Sequence, residues 1–164
     1  MNTAFLSIGT NLGQREENLK KAIKMIGAEA GFLKALSSVY ETEPWEMTTN
    51  DMFLNMEIEI ETEFNPHILL KKMLDIEDKM GRRREVSGYS SRIIDIDILF
   101  FNDLIINNKD LVVPHPLIAR RRFVLEPLAE IAPQLIHSVL GKSIESLLES
   151  CTDNCVVIKT GIIL

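Results

Sequence analysis

The sequence predicts an α/β fold of the α+β type, with elements in the order strand, helix, strand, strand, helix, strand. Residues 53–62 alternate apolar and polar side chains, as a strand with one buried face does. Residues 15–26 and 66–80 repeat apolar side chains every three or four positions, as helices packed on a sheet do. This order is the ferredoxin-like βαββαβ arrangement, an antiparallel sheet with helices on one face, and a C-terminal helical extension follows it.

The first half of the chain supplies three strands and one helix. Residues 3–8 form an apolar strand, 9–14 a turn and 15–26 a helix. A second strand is expected at 33–42 and a loop at 43–51. On the third strand, the polar face carries Phe53, Asn55, Glu57, Glu59 and Glu61, and the apolar face carries Leu54, Met56, Ile58 and Ile60.

The second half begins with a helix that Asn65 caps and Pro66 starts. The remaining elements are a strand at 93–101, a short hairpin at 104–113, helices at 117–131 and 143–150, and an edge strand at 156–164. With the helices on one side of the sheet, we expect its other face to be free for a ligand.

Composition favours a single globular domain spanning residues 1–164. Hydrophobic residues make up 46% and charged residues 26% of the 164 residues, enough for a substantial core. No apolar stretch reaches the roughly 20 residues that cross a bilayer, so no membrane association is expected. The net charge of −6 weighs against a nucleic-acid partner. Cys151 and Cys155 have no partner cluster, and reduced thiols in the cytoplasm are expected, with the chain acting as a monomer.

The strand at 93–101 carries two acids in its most apolar stretch. Asp95 and Asp97 are two positions apart, so both carboxylates leave the same face, with Cα atoms roughly 7 Å apart. Their repulsion of roughly 2 kcal/mol would be reversed by a divalent cation. A solvated strand face is the alternative, but the arginines just before the strand favour a metal.

Seven of the eight arginines fall in two segments, 82–92 and 120–122. Arg82 and Arg92 stand at opposite ends of a polar loop, which could close over a polyphosphate because guanidinium groups match phosphate oxygens. The alternative is a solvated basic loop or a nucleic-acid patch. His115, held between two prolines, suits a phosphate or ribose contact, although a lone histidine is often structural.

Phe53 and Asn55 are expected to point away from the helices. A flat aromatic ring and an amide can stack on and pair with a heterocycle. The alternative is that the loop at 43–51, which contains Trp45, folds back and buries Phe53.

These segments together resemble the family of 6-hydroxymethyl-7,8-dihydropterin pyrophosphokinase, an enzyme of folate biosynthesis. The resemblance extends from the first strand to residue 133, and the order and spacing of its motifs are specific. The motifs are IGTNLG at 8–13, YETEP at 40–44, FLN at 53–55, RxR at 82–84, SRIIDIDILFF at 91–101, VPHP at 113–116 and RRRFVLEPLAEIAP at 120–133.

The resemblance implies that the β,γ-pyrophosphoryl group of ATP is transferred to the hydroxymethyl oxygen of the pterin, leaving AMP. It implies two Mg²⁺ ions bridged by Asp95 and Asp97, and catalytic arginines at Arg82 and Arg92. The nucleotide contacts that it implies are Glu77, Arg84, Ile98, His115 and Arg121. The pterin contacts that it implies are Thr42, Trp45, Phe53, Asn55, Tyr89 and Phe123.

The chain departs from the family pattern in three places. GYSSR at 88–92 replaces the usual WGPR, so that Tyr89 offers a smaller aromatic face. Leu74 stands where a glutamine is common, and Glu43 and Trp45 replace a proline and a leucine.

Two other function classes are open on the residues alone. One is a regulatory or RNA-binding module on the same fold, and the other is a Mg²⁺-dependent nucleotidyl transferase or phosphatase. The reaction products distinguish them, since only the family reaction yields AMP in the presence of a hydroxymethylpterin.

Overall fold

The computed structural model describes residues 1–82 and 91–164, and confirms the predicted α+β fold class. Its elements are β1 (Asn2–Thr10), α1 (Arg15–Glu29), β2 (Phe32–Leu36), β3 (Tyr40–Thr42), β4 (Phe53–Thr62), α2 (Pro66–Lys79), β5 (Asp95–Phe101), β6 (Ile106–Asn107), β7 (Val112–Val113), a 3₁₀ turn (Ile118–Arg120), α3 (Arg122–Ile131), α4 (Ile144–Glu149) and β8 (Val157–Lys159).

The main sheet is antiparallel, with the strand order β5-β1-β4-β3-β8 and β2 also paired to β4. Its register aligns residues of three strands in rows across the central strand β1. Gly9 pairs with Asn55 on one side and with Asp95 on the other. Ser7 pairs with Glu57 and with Asp97 in the next row. These two rows bring residues from distant parts of the sequence onto one patch of the sheet.

The first face of the sheet is covered by α1 and α2, as the apolar spacing predicts. Its core includes Leu6 and Ile8 of β1, Leu19 of α1 and Met73 of α2, all fully buried. The Asn65 side chain accepts a hydrogen bond from the N–H of Ile68 (3.0 Å), which confirms the predicted N-cap.

The second face is covered in part by the C-terminal extension. Phe5 and Phe100 of the sheet pack with Val124 and Leu128 of α3 and with Leu147 of α4 in a second apolar cluster. The area that this face leaves for a ligand is therefore restricted to one part of the sheet. Within the described residues, the end of this face that stays open bears Gly9, Asn55 and Asp95, with Ser7 and Asp97 of the next row.

Two predicted elements are interrupted. The strand expected at 33–42 is split into β2 and β3, because the N–H of Ser38 donates to Glu130 (3.0 Å) on α3 instead of continuing the ladder. The helix expected at 117–131 is split by Arg121, whose backbone is extended (φ −119°, ψ 98°). The hairpin β6–β7 and the C-terminal edge strand β8 are both confirmed.

Candidate active site

Two clefts open at the uncovered end of the second face and meet at Asp95 and Asp97, which line both of them. The first cleft, here called the heterocycle cleft, is also lined by Ser7, Gly9, Thr42, Glu43, Trp45, Met47, Phe53, Asn55, Arg92, Arg121 and Phe123. The second cleft, here called the nucleotide cleft, is also lined by Leu70, Leu74, Glu77, Arg82, Ile96, Ile98, Asp110, Leu111, Val112, His115 and Pro116. Both aspartates leave the same strand face, as predicted, because Ile96 and Ile98 turn into the first core.

Asp95 holds both arginines that the sequence places at the ends of the polar loop. Its Oδ1 accepts from Arg82 (2.6 Å) and its Oδ2 from Arg92 (2.7 Å). Arg82 also donates to Glu77, whose side chain is only 1% exposed and accepts from the N–H of Ile96 as well (2.7 Å). The arginines are thus fixed beside the junction of the two clefts.

The Asp97 carboxylate has a shifted pKa. Burial, and after it the neighbouring Asp95 carboxylate, raise the pKa of Asp97 to about 7, against the opposing effect of Arg121. Ser7 of β1 stands between Asp97 on β5 and Glu57 on β4. Glu57 is fully buried, and its Oε1 accepts a hydrogen bond from the Ser7 hydroxyl (2.9 Å). Burial raises the pKa of Glu57 well above its ordinary value, although the Ser7 hydrogen bond acts in the other direction.

The donor set at this junction fits Mg²⁺. Within residues 1–82 and 91–164, no group of three or more histidine, cysteine or acidic side chains is arranged to hold a metal. Two carboxylates are instead what Mg²⁺ uses when phosphates and waters complete its shell. Burial raises the pKa of Asp97 most, and the Asp95 carboxylate adds a repulsion that a bound cation would offset.

The heterocycle cleft is built around Asn55. Its Nδ2 donates to the Thr42 hydroxyl (2.6 Å), which fixes the orientation of the amide. A Cβ atom on Gly9 would lie 2.3 Å from Asn55 Oδ1, so the glycine makes room for this side chain. Phe53 and Phe123 line the same cleft and supply flat apolar surface beside the amide.

Trp45 closes one side of the heterocycle cleft. Its ring faces the guanidinium of Arg121 at 4.7 Å and that of Arg120 at 5.8 Å. Arg121 also lies 5.5 Å from the Phe123 ring and is 7% exposed. The structure therefore places Arg121 in the wall of the heterocycle cleft, whereas the sequence interpretation assigned it to the nucleotide.

The nucleotide cleft brings together Glu77, Ile98 and His115, three of the predicted nucleotide contacts. The N–H of Leu117 donates to Nδ1 of His115 (3.2 Å), which leaves Nε2 as the donor of the neutral ring. Burial, and after it the charge of Arg121, lower the pKa of His115 to about 4. The imidazole is therefore neutral near pH 7.

Two predicted contacts, Arg84 and Tyr89, lie outside the described residues. Asn11, which the sequence interpretation treated only as part of a turn, is hydrogen-bonded in the structure to Arg92, a residue that lines the heterocycle cleft. Its Oδ1 accepts from the N–H of Arg92 (2.7 Å) and its Nδ2 donates to Ser91 (3.2 Å). An asparagine directly after a strand was the available signal, but its partner lies 81 residues away.

Comparison with known proteins agrees with this geometry. Residues 5–133 match the family model described as 7,8-dihydro-6-hydroxymethylpterin-pyrophosphokinase (HPPK). The chain belongs to the HPPK family. The activity that the motifs imply is thereby confirmed: pyrophosphoryl transfer from ATP to hydroxymethyldihydropterin, a step in folate biosynthesis.

Relatives of the chain include separate HPPK enzymes and longer proteins. The 2-amino-4-hydroxy-6-hydroxymethyldihydropteridine pyrophosphokinase of Bacillus subtilis is 42% identical over 135 residues, covering 82% of this chain and 80% of that protein. Folic acid synthesis protein FOL1 of Dictyostelium discoideum is 40% identical over 139 residues, covering 85% of this chain. The match spans only 21% of the Dictyostelium protein.

Solved structures share the fold of the chain. A crystal structure of a Plasmodium falciparum HPPK-DHPS triple mutant superposes with a TM-score of 0.75 at 21% identity, covering 90% of this chain and 44% of that one.

None of the helices in the described part of the chain is long and apolar enough to span a membrane.

Proposed function

We propose that pyrophosphoryl transfer takes place where the two clefts meet. The pterin occupies the heterocycle cleft and ATP the nucleotide cleft, so that the hydroxymethyl group and the polyphosphate approach each other at Asp95 and Asp97. The observation that supports this placement is that the two carboxylates line both clefts. A transfer reaction requires two substrates held in line at one point, and shared lining residues mark that point.

Asp95 and Asp97 are the residues that would hold Mg²⁺, and we propose two ions. The metal would neutralise phosphate charge and polarise the reacting oxygens when bound. Arg82 and Arg92 bind the phosphate oxygens and stabilise the charge that develops on them during transfer. Both guanidinium groups already lie beside Asp95, at 2.6 and 2.7 Å.

The remaining contacts divide between the two substrates. Asn55 and Thr42 pair with the polar edge of the pterin, while Phe53, Phe123 and Trp45 enclose its ring. Tyr89 is proposed as a further pterin contact. The proposed nucleotide contacts are Glu77, Arg84, Ile98 and His115, with the neutral His115 donating from Nε2. Arg121 is also proposed as a nucleotide contact, from its position in the wall of the heterocycle cleft.

We propose that residues 1–164 act as a single domain and as a monomer in the cytoplasm. Cys151 and Cys155 are free thiols, in keeping with a reducing compartment. Light scattering of the purified protein measures the oligomeric state directly.

Product analysis tests the proposed site. Wild-type protein with Mg²⁺, ATP and hydroxymethyldihydropterin is expected to form AMP and the pterin pyrophosphate, with no AMP when the pterin is omitted. An Asn55→Ala variant should need more pterin for half-maximal rate while its apparent affinity for ATP is unchanged. A change in ATP affinity alone would place the pterin elsewhere.

A further inference from the structure

The segment at residues 151–160, here called the C-terminal segment, lies beyond the part of the chain that matches the family model, which ends at residue 133. It runs from the end of α4 through the edge strand β8. Along this course it contacts residues adjacent to both walls of the heterocycle cleft. One wall is formed by Thr42 and the loop that follows it, and the other by Arg121 and Phe123.

The contact with the first wall is made at Glu43, which lines the cleft next to Thr42. The N–H of Glu43 donates to the carbonyl of Val156 (3.1 Å), and the N–H of Val156 donates to the Glu43 carboxylate (2.9 Å). The pairing continues along β3, with Thr42 opposite Val157. Thr42, the last residue of the three-residue strand β3, is thereby held in place by the C-terminal segment.

The contact with the second wall is made at Arg122, which stands between the cleft residues Arg121 and Phe123. Its backbone N–H donates to the Asp153 carboxylate (2.9 Å), and its Nε donates to the Asp153 carbonyl (2.9 Å). A terminal guanidinium nitrogen donates to the Cys151 carbonyl (3.1 Å). Three hydrogen bonds therefore fix the start of α3 to the C-terminal segment.

Glu130 links the two walls a second time. Its carboxylate accepts from the Tyr40 hydroxyl (2.7 Å) and from the Ser38 hydroxyl (2.8 Å), and lies 3.6 Å from the Lys159 ammonium. Because Glu130 belongs to α3, Tyr40 to β3 and Lys159 to β8, the three elements form one hydrogen-bonded unit behind the cleft.

We propose that the C-terminal segment is a positioning element for pterin binding, which sets the spacing between Thr42 on one wall and Phe123 on the other. The proposal rests on the placement of the pterin in the heterocycle cleft. Glu43 and Arg122 transmit the constraint, because each is hydrogen-bonded to the segment and adjoins a cleft residue. Thr42, Glu43 and Phe123, which make or adjoin these contacts, line the heterocycle cleft and not the nucleotide cleft, so we expect the effect on pterin binding.

Two proline substitutions form a matched pair that tests the proposal. Val156→Pro removes the N–H that binds Glu43. Val157→Pro is the control, because hydrogen-bonded pairs alternate along an antiparallel ladder and the Thr42–Val157 pair falls between two of them. An outward-facing N–H on an edge strand tolerates proline. We expect Val156→Pro to raise the KM for the pterin by about fivefold to tenfold, the order of effect of one lost hydrogen bond.

The KM for ATP is expected to stay within about twofold of wild type in both proline variants, and Val157→Pro should keep the wild-type KM for the pterin. Arg122→Lys provides an independent variant if Val156→Pro does not fold. The lysine keeps the positive charge but lacks the guanidinium group that donates to the carbonyls of Asp153 and Cys151. This substitution should also raise the KM for the pterin. An unchanged pterin KM in both folded variants would overturn the proposal.

Coupling to Glu43 separates positioning from direct contact. If Glu43 acts through Val156, then Glu43→Ala should add little to the pterin KM of Val156→Pro, whereas independent effects would multiply. Multiplying effects would make Glu43 a simple pterin contact and reject the role of the segment. An Asn55→Ala variant with an unchanged KM for the pterin would instead reject the placement of the pterin on which this proposal rests.

Discussion

At the scale of single residues, the two aspartates of β5 carry the strongest sequence signal. Their spacing places both carboxylates on one face, and the structure confirms this. Asp97→Ala is expected to lower turnover by about 10³-fold or more, the magnitude seen when a charge-stabilising group is removed from phosphoryl transfer. Steady-state AMP formation at saturating Mg²⁺ measures it, with the exposed Asp103→Ala as control. Turnover near the wild-type rate would reject the metal assignment.

Gly9 is required by a neighbour rather than by its own backbone. A methyl group there would lie 2.3 Å from Asn55 Oδ1, so Gly9→Ala must displace the amide that pairs with Thr42. We expect a pterin KM raised by about tenfold or more, because the hydrogen bonds of a buried polar pair are lost. Gly161→Ala is the control, since nothing lies within 4 Å of its added carbon. An unaltered pterin KM would show that Asn55 does not bind the pterin.

Glu57 predicts a pH dependence of stability. Its pKa is raised in the folded state, mainly by burial, so the protonated form stabilises the fold below about pH 4.5 and that contribution is lost as pH rises. Glu57→Gln should therefore melt about 2–4 °C above wild type at pH 8, which corresponds to about 1 kcal/mol, with the difference vanishing towards pH 4.5. The control is Glu59→Gln on the same strand face. A difference independent of pH would contradict this account.

The role of Glu57 could not be predicted from the local pattern. Alternation along β4 correctly separates Glu57 from Ile58, but it assigns both Glu57 and Glu59 to a polar face. In the structure α3, some 65 residues later in the chain, contacts β4, and Glu57 is fully buried whereas Glu59 is half-exposed. Alternation along a strand predicts only which face a side chain lies on, so it cannot predict burial by a distant element.

At the scale of elements, the turn after β1 positions Arg92. Asn11 accepts from the N–H of Arg92, and the N–H of Asn11 donates to the Arg92 carbonyl (3.1 Å). Arg92→Ala should slow the chemical step far more than it weakens ATP binding, because its charge is used in the transition state. Asn11→Ala should also lower kcat, by about tenfold, which is the equivalent of one hydrogen bond of about 1.4 kcal/mol.

Asn18→Ala is the matched control for Asn11→Ala. Asn18 donates to Thr10 (3.2 Å) and to the Leu12 carbonyl (2.8 Å) in the same turn. Binding of a non-hydrolysable ATP analogue, measured by calorimetry, should be nearly unchanged in both variants. Equal losses of kcat in the two asparagine variants would show that the turn as a whole, rather than its bond to Arg92, is needed.

Local signals predicted the elements well, except where a side chain from elsewhere competes for the backbone. The cap of α2, the hairpin and β4 follow from neighbouring residues, and each is found as predicted. The break between β2 and β3 depends on Glu130, which lies 92 residues from Ser38. No signal within the segment at 33–42 indicates that partner.

At the scale of the whole molecule, two apolar clusters lie on opposite faces of one sheet. Leu128 belongs to the second cluster and is fully buried. Leu128→Ala is expected to cost about 2–5 kcal/mol and to lower the melting temperature by roughly 5–15 °C. Leu140→Ala, at an exposed position, is the control. A single calorimetric transition is expected, and two separate transitions would show that the clusters unfold independently.

Sequence order predicted the fold class but not what covers the second face. The βαββαβ pattern gives the sheet and the two helices on its first face. The position of α3 and α4 depends on Phe5, Phe100 and their partners in the second cluster, which lie far apart in the chain. The site follows from the same arrangement, because the covering helices define which rows of the sheet remain accessible.

The pairing of both arginines with Asp95 has a consequence for nucleotide affinity. The two guanidinium groups are already gathered and partly desolvated around one carboxylate, so an incoming triphosphate would exchange partners with it rather than recruit free cations. In such an exchange each guanidinium group has an anionic partner before and after binding, so few dissolved ions are released. Nucleotide binding should then be less sensitive to added salt than the number of arginines alone suggests.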